Sequence, residues 1–505
     1  MSQIDPTKTT GFFGHPKGLQ TLFFTEMWER FSYYGMRAIL VLFMTTPAAQ
    51  EGLGLTTETS GAIYGLYTAG VYLLTLPGGW LADNIFGQRK AIWYGGILIM
   101  IGHLILAIPG SPGIFFTGLA FVASGTGLLK PNISTIVGDL YPEGGARRDA
   151  GFSVFYMGIN LGSFLGQTFV ALLGEKVNWH LGFGLAAIGM LAGLIQYRLT
   201  QGNLGDLGIE PKAKGSPASE NSNPKLGFGL AALLVIILLL LQYTGKIDMF
   251  TAVGIASAVG VIIVTVTIFY FIYILVAGGL SEDEKKKVVI IFMLFVGAAI
   301  FWSGFEQAGS SLNLFARDHT DRMLFGWELP AGWLQNINPA FIIILAPMIG
   351  SLWIKLAARQ MNPATPYKFA IGLIFMALGF LVMVFAAQIV ATGAKAGMGW
   401  LIVTYLFHST GELALSPVGL SATTKLAPRK YLGQMMGIWF VGAALGNLIA
   451  GLYAGNFDPE KVEQMPDLFK SVVWLGIGSG IMFFILGPWM RKWMGSVDKE
   501  SNHQV

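Results

Sequence analysis

The sequence predicts an all-α integral membrane protein with fourteen membrane-spanning helices, on three observations. The first is composition: of 505 residues, 53% are hydrophobic and only 12% charged, with a mean hydropathy of +0.60. That excludes a soluble multidomain protein, a disordered chain, collagen and a coiled coil. The second is the length of the apolar runs, each at or near the ~20 residues that cross a bilayer as a helix. Runs this long and this uniformly apolar are unlike barrel strands. The third is the sidedness of the basic residues, taken up below.

The runs lie near 19–46, 57–83, 91–109, 112–138, 150–174 and 180–200, then 226–245 and 249–278, then 287–312, 335–358, 366–392, 398–424, 431–454 and 470–490. The first reads as a retained span, not a signal peptide, because it is too long and lacks a small-residue cleavage site. The stretch 201–225 is polar and rich in Gly, Pro and Ser, which reads as a linker. The plan is therefore six, two, six: an N-terminal six-helix bundle in 1–200, a cytoplasmic linker in 201–225, a two-helix insertion in 226–278 and a C-terminal six-helix bundle in 279–505. The 67 glycines suit helices that pack closely in lipid.

With both termini placed inside, 22 of the 32 Lys and Arg fall on the inner side and 7 on the outer. This bias matches the positive-inside rule and supports an even helix number with cytoplasmic termini in a cell inner membrane. The net charge of +4 gives no reason to expect nucleic acid. The absence of Cys excludes disulfides, thiolate metal sites, iron–sulfur clusters and thiol catalysis. No metal or cofactor is expected.

A charge at the centre of a lipid-exposed helix costs roughly 2.5–3.5 kcal/mol, so the ionisable residues inside the runs are functional candidates. At 100° per residue, Glu26, Arg30, Tyr33 and Arg37 form one stripe on the first run, with Glu29 beside it. Facing lipid, its four charges would cost on the order of 10–14 kcal/mol, so the stripe lines a cavity or pairs inside the bundle. A buried ion-pair lock is the plain alternative for Glu26, Glu29 and Arg30, but Arg37 lies two turns beyond Glu29. Lys130, next to Pro131, is the other intramembrane cation. Glu306 and Glu412 are the matching carboxylates of the second six-run block, so the two kinds of charge together suit both ends of a zwitterion. Tyr33, Tyr34, Tyr72, Tyr156, Trp302 and Trp439 could line a pocket for varied side chains, each being equally open to a packing role. His103 and His408 read as buried packing residues.

Between the second and third runs, Gly79-x-x-x-Asp83-x-x-x-Gly87-x-Arg89-Lys90 resembles the cytoplasmic loop motif of the major facilitator superfamily. Three strings narrow the resemblance: E-M-W-E-R-F-S-Y-Y-G at 26–35, G-G-W-L-A-D-N-I-F-G at 78–87 and F-Y-M-G-I-N-L-G-S at 155–163. Together they resemble the bacterial type of the proton-dependent oligopeptide transporter family, over the whole transporter core. The resemblance implies the major facilitator fold, two six-helix bundles with two further helices between them and a mid-membrane substrate site. It implies a proton-coupled symporter importing di- and tripeptides by alternating access, with a monomeric functional unit in membrane lipid and no enzymatic activity. Glu26, Glu29 and Arg30 match the family's E-x-x-E-R proton-coupling motif, and Glu306 a carboxylate that exchanges partners between Arg37 and a proton. Arg37 and Lys130 match the groups near the peptide carboxylate, and Glu412, Asn160 and Asn338 those near its amino terminus, Asn336 being a competitor for the last role. Tyr33, Tyr34, Tyr72, Trp302, Trp439 and Ser416 match pocket positions. The helix-2 histidine of animal members has no counterpart, which leaves coupling to carboxylates.

Two other readings compete. Another major facilitator transporter, for nitrate, amino acids or drugs, would share the fold; the charge pattern favours a zwitterion over a neutral or cationic drug. A proton-pumping respiratory subunit would share the span number, but the linker after six runs and the motifs do not suit it, and no haem, nucleotide or nucleophile motif is present.

Overall fold

A computed structural model describes residues 11–142, 145–211 and 224–495. The helices of the first part are α1 Lys17–Thr45, α2 Thr57–Leu73, α3 Thr75–Leu81, α4 Gln88–Leu106, α5 Pro112–Asp139, α6 Gly145–Lys176 and α7 Trp179–Thr200. Those of the second are α8 Pro224–Tyr243, α9 Ala252–Ala277, α10 Glu282–Phe305, α11 Ser311–His319, α12 Ile337–Ala358, α13 Thr365–Ala391, α14 Met398–Leu426, α15 Leu432–Ala454 and α16 Met465–Met494. Every one of the fourteen apolar runs is helical. Of the linker expected at 201–225, positions 212–223 lie outside the described residues, as do both chain ends.

Among the described residues, ten helices are long and apolar enough to cross a membrane by length and composition. Polarity sets α1 and α14 apart from these: α1 holds five charged residues, and α14 holds His408, Glu412 and Lys425. The second run divides where α2 gives way to α3, which continues into a π-helical turn at Ala82–Phe86. The ninth run breaks at a 3-10 turn, Glu306–Gly309, and then continues as α11 to His319. Outside the helices the strand content is slight: Thr320–Asp321 pairs in parallel with Ala396–Gly397.

Packing divides the chain into two compact units. One comprises Met1–Leu55, Gly70–Glu220 and Leu324–Ala340; the other comprises Thr56–Ala69, Asn221–Met323 and Phe341–Val505. Helices α2 and α12 thus each change unit partway along. In the first unit α1 packs on α6 and α7, and α4 on α5. The α1–α6 contact is close because α6 presents Gly158, Gly162 and Gly166 at every fourth residue. A Cβ at Gly162 would collide with the Met27 carbonyl oxygen and stand 3.0 Å from Arg30 Cβ. Such stripes of small residues let helices approach where lipid supplies no hydrophobic drive. In the second unit α13 packs on α14 and α16, α10 on α15, and α9 on α15.

The helix ends follow local chemistry. Ser281 and Glu284 form a reciprocal capping box at the start of α10, and Asn178 accepts from the backbone N–H of His180 and Leu181 at the start of α7, each satisfying donors that the first turn leaves open. Arg89 does the converse at the other end of α7. Its guanidinium donates to the carbonyls of Gly205 (2.7 Å) and Gln201 (3.2 Å), where the helix dipole favours a cation. Gly87 supplies the positive φ of 78° that brings the chain against Ile209. The Gly-x-Arg end of the loop motif therefore ties residues 201–209 to the start of α4.

Gly162→Val should lower the thermal unfolding midpoint and the inserted yield, because overpacking a tight contact costs about 1–3 kcal/mol. Gly70→Ala, at a position with nothing within 4 Å, should change neither; fluorescence-detected size exclusion after heating reads both.

Candidate functional site

The α1 stripe is buried. Glu29 is 0% exposed, and Glu26, Arg30, Tyr33 and Arg37 lie in the core as well. Arg30 Nε stands 3.0 Å from Glu26 Oε1 and 2.5 Å from Glu29 Oε2, so one guanidinium serves two carboxylates. The i, i+4 spacing brings Glu26 and Arg30 to the same helix face, while Glu29 reaches the same cation from the adjoining position. Each charge loses water on burial, and the attraction offsets that loss only with close geometry. Two carboxyl groups thus share one guanidinium.

Arg30 also lies 5.3 Å from the Tyr33 ring centre and 5.9 Å from that of Tyr34. Arg37, two turns along, stacks on the other side of this arrangement, 5.6 Å from the Tyr34 ring. Tyr33 and Tyr34 meet edge to face at 5.2 Å. The stripe predicted from 100° spacing is therefore one connected row from Glu26 to Arg37, with Tyr34 shared by the two arginines. On α5, Lys130 places its ammonium 4.0 Å from the Tyr72 ring, so a second cation–aromatic pair stands in the same unit. A ring beside a desolvated cation offsets part of the cost of its burial.

Pro131 does not interrupt α5, which runs through it. Lacking an N–H, it leaves the Gly127 carbonyl without its usual helical donor. That is where α3 approaches closely: Gly78 abuts Gly127, and Asn132 donates to the Leu128 carbonyl at 2.7 Å.

On α6, Tyr156, Asn160, Ser163 and Gln167 share one face. Exposure falls along it from 43% at Tyr156 to 7% at Asn160, 5% at Ser163 and 4% at Gln167, which describes a cleft open at one end and closed at the other. Asn160 donates to the Tyr156 carbonyl at 3.0 Å. The closed end is capped by the 3-10 turn Ala331–Asn336. Glu175 accepts from the backbone N–H of Ala331 (2.7 Å) and Gly332 (2.8 Å), Trp333 Nε1 donates to the Thr168 carbonyl, and Asn336 donates to Thr168 Oγ1, both at 2.8 Å. Asn336 thereby helps hold the turn, while its buried Oδ1 has no hydrogen-bond partner, and Asn338 is half-buried in the first turn of α12.

In the second unit Glu306 is buried at the junction of α10 with its 3-10 turn. One turn earlier, Trp302 packs edge to face on Phe305 at 5.2 Å, and its buried Nε1 has no hydrogen-bond partner. Glu412 and Ser416 are half-buried and four residues apart on α14, hence on one face. Trp439 is buried on α15, its ring lying on Gly419 and 6.4 Å from Phe369. His408 is enclosed by Phe380 at 5.1 Å and Phe305 at 6.2 Å, a packing environment; His103 is fully buried as well. Among the described residues there is no group of three His, Asp or Glu that could hold a metal ion.

Sequence reasoning missed Gln167, Gln335 and Glu175. Gln167 carries a readable signal, since it follows Asn160 by seven residues, two helical turns. Glu175 carries none, because its partners are backbone amides distant in the chain.

A helical fold with this many apolar spans is that of a multi-pass membrane protein, and its relatives are transporters. The chain belongs to the proton-dependent oligopeptide transporter (POT) family, whose model matches residues 89–468. It is 41% identical over 504 residues to the peptide transporter YePEPT of Yersinia enterocolitica, covering 96% of this chain and 97% of that one. It is 38% identical over 507 residues to a di-/tripeptide transporter of Lactococcus lactis, covering 98% and 100%. Among solved structures it resembles a peptide transporter POT in complex with sulfate, with a TM-score of 0.86 at 41% identity over 97% of this chain and 99% of that one. A variant peptide transporter POT in complex with alafosfalin gives 0.85 at 41% over 98% and 99%.

Arg30→Ala should destabilise the protein by about 3–5 kcal/mol, because it strands two buried carboxylates. Combining it with Glu26→Gln and Glu29→Gln should restore most of the thermal midpoint. An unaltered midpoint in the single variant would show that the carboxylates do not depend on this cation.

Proposed function

We propose that this protein is a proton-coupled symporter that imports di- and tripeptides by alternating access, as a monomer in the lipid of the cell inner membrane with both termini cytoplasmic. The observation that carries this reading is the α1 row. Two carboxylates share one guanidinium, a proton-accepting set, and a second guanidinium lies two turns away against the same tyrosine. Family membership and the relatives named as peptide and di-/tripeptide transporters support the substrate class. The functional division follows the chain as an N-terminal bundle 1–200, a linker 201–225, a two-helix insertion 226–278 and a C-terminal bundle 279–505. No cofactor and no nucleic acid enter the cycle.

Arg37 and Lys130 take the peptide carboxylate, Arg37 through its planar fork and Lys130 as a point charge. Glu412, Asn160 and Asn338 take the amino end, and Tyr33, Tyr34, Tyr72, Tyr156, Trp302, Ser416 and Trp439 bound the side-chain space. Glu26, Glu29, Arg30 and Glu306 couple the proton. A deprotonated carboxylate competes with the substrate carboxylate for a guanidinium, and protonation removes the competitor. Proton and peptide therefore bind with positive coupling, and the loaded carrier reorients with less uncompensated charge.

Purified protein in liposomes, with no redox partner, should accumulate labelled dipeptide under an inward proton gradient. Unlabelled dipeptides should compete, whereas N-acetylated dipeptides, free amino acids and sugars should compete at least ten times more weakly. Equal competition by a blocked peptide would defeat the two-ended recognition.

Glu29→Gln imitates permanent protonation while keeping shape. Exchange of labelled for unlabelled peptide without a gradient should persist in this variant, and gradient-driven accumulation should be lost. Accumulation at the unmutated level in protein of equal abundance would make the row a structural lock.

A further inference from the structure

We infer that Gln167 and Gln335 form a subsite for the peptide bond of the substrate, Gln167 Oε1 accepting from its N–H and Gln335 Nε2 donating to its carbonyl. This rests on the peptide-transport reading above. Both residues belong to the same compact unit, and both are 4% exposed. Gln167 Oε1 and Gln335 Nε2 are buried, and neither has a hydrogen-bond partner. A buried polar atom left unpaired costs roughly 1–3 kcal/mol, so a pair of them, one acceptor and one donor, marks a place that something polar fills.

The fold brings the two together. At about 100° per residue, the α6 positions that touch α1 (Gly158, Gly162, Gly166) and those that touch the 331–336 turn (Thr168, Ala171, Glu175) lie on opposite flanks of the helix. Asn160, Ser163 and Gln167 fall in the sector between these flanks, so Gln167 aims into the wedge bounded by α1 and the turn. Gln335 reaches the same wedge from the other side. In a 3-10 turn, residues three apart eclipse, so Gln335 shares the face of Gly332. That face meets both walls: a Cβ on Gly332 would lie 2.8 Å from Ala171 Cβ on α6 and 3.2 Å from Ala38 Cβ on α1. Gln335 is one turn deeper than Gly332, and Gln167 one turn deeper than Ala171.

The level of this wedge names the ligand group. Gly166 packs at Phe31 and Gly332 at Ala38, so the wedge spans the levels of α1 between these residues, the stretch that holds Tyr34 and Arg37, whose guanidinium is 5.6 Å from the Tyr34 ring. A carboxylate on Arg37 would then hold the amide that precedes it at the level of Gln167 and Gln335. A secondary amide is the group that supplies one donor and one acceptor on opposite edges, matching the two orphan atoms. An amino acid has no such group.

The test pairs variants with ligand analogues in the full-length protein, measuring affinity by competition in proteoliposomes. The probes are a dipeptide and its ester analogue, in which oxygen replaces the amide N–H. Gln167→Met keeps size and removes the acceptor. It should weaken the dipeptide roughly 3- to 10-fold and leave the ester unchanged, so the preference for amide over ester collapses. Gln335→Met, which removes the donor, should weaken both probes, because both keep the carbonyl. A retained amide preference in Gln167→Met, or equal loss of both probes there, overturns the subsite, and so does a fall in thermal midpoint without any change in relative affinity, which would assign the two amides to an internal water. Failure of the unmutated protein to transport the dipeptide at all would instead overturn the peptide-transport reading.

Discussion

The constraint on which the first compact unit depends is that charge inside a membrane must be satisfied by protein. Arg30 between Glu26 and Glu29 is stable only where lipid is excluded and a second helix lies close. The glycines of α6 meet that need, since Gly162 leaves room for the Met27 carbonyl and the Arg30 stem. Close approach and ion pairing are thus one feature: enlarging the glycine would open the cluster, and removing the cation would leave two uncompensated buried carboxylates.

The same physics explains why cations here rest on rings. Arg30, Arg37 and Lys130 each lie over a tyrosine, which stabilises a desolvated cation without neutralising it. Tyr34, near both arginines, makes the Glu26–Arg30–Glu29 cluster and Arg37 neighbours through one side chain.

Helix irregularities fall where polar chemistry is placed. The chain bends after Leu73, beside Tyr72; Glu306 begins a 3-10 turn; Pro131 follows Lys130. In a membrane such departures are tolerated only where backbone groups find partners inside the protein. The 331–336 turn is the clearest case, its first amides held by Glu175 and its flanks by Thr168.

Much of this was legible without coordinates. Apolar runs set by bilayer thickness identified every long helix, because each span satisfies its own backbone and length alone is diagnostic. The α1 stripe was equally legible, since Glu26, Arg30, Tyr33 and Arg37 interact through local helical spacing. Tertiary structure decided what depends on contacts between distant segments: that Gly162 leaves room for the ion cluster, that Asn336 donates to Thr168, that Arg89 ties down residues 201–209, and that Gln167 and Gln335 belong to one compact unit. Hydropathy and periodicity report how a residue relates to lipid and to its own helix. They carry no information about which carbonyl or amide a helix from elsewhere in the chain will present, and those partners settle the roles of the buried polar groups.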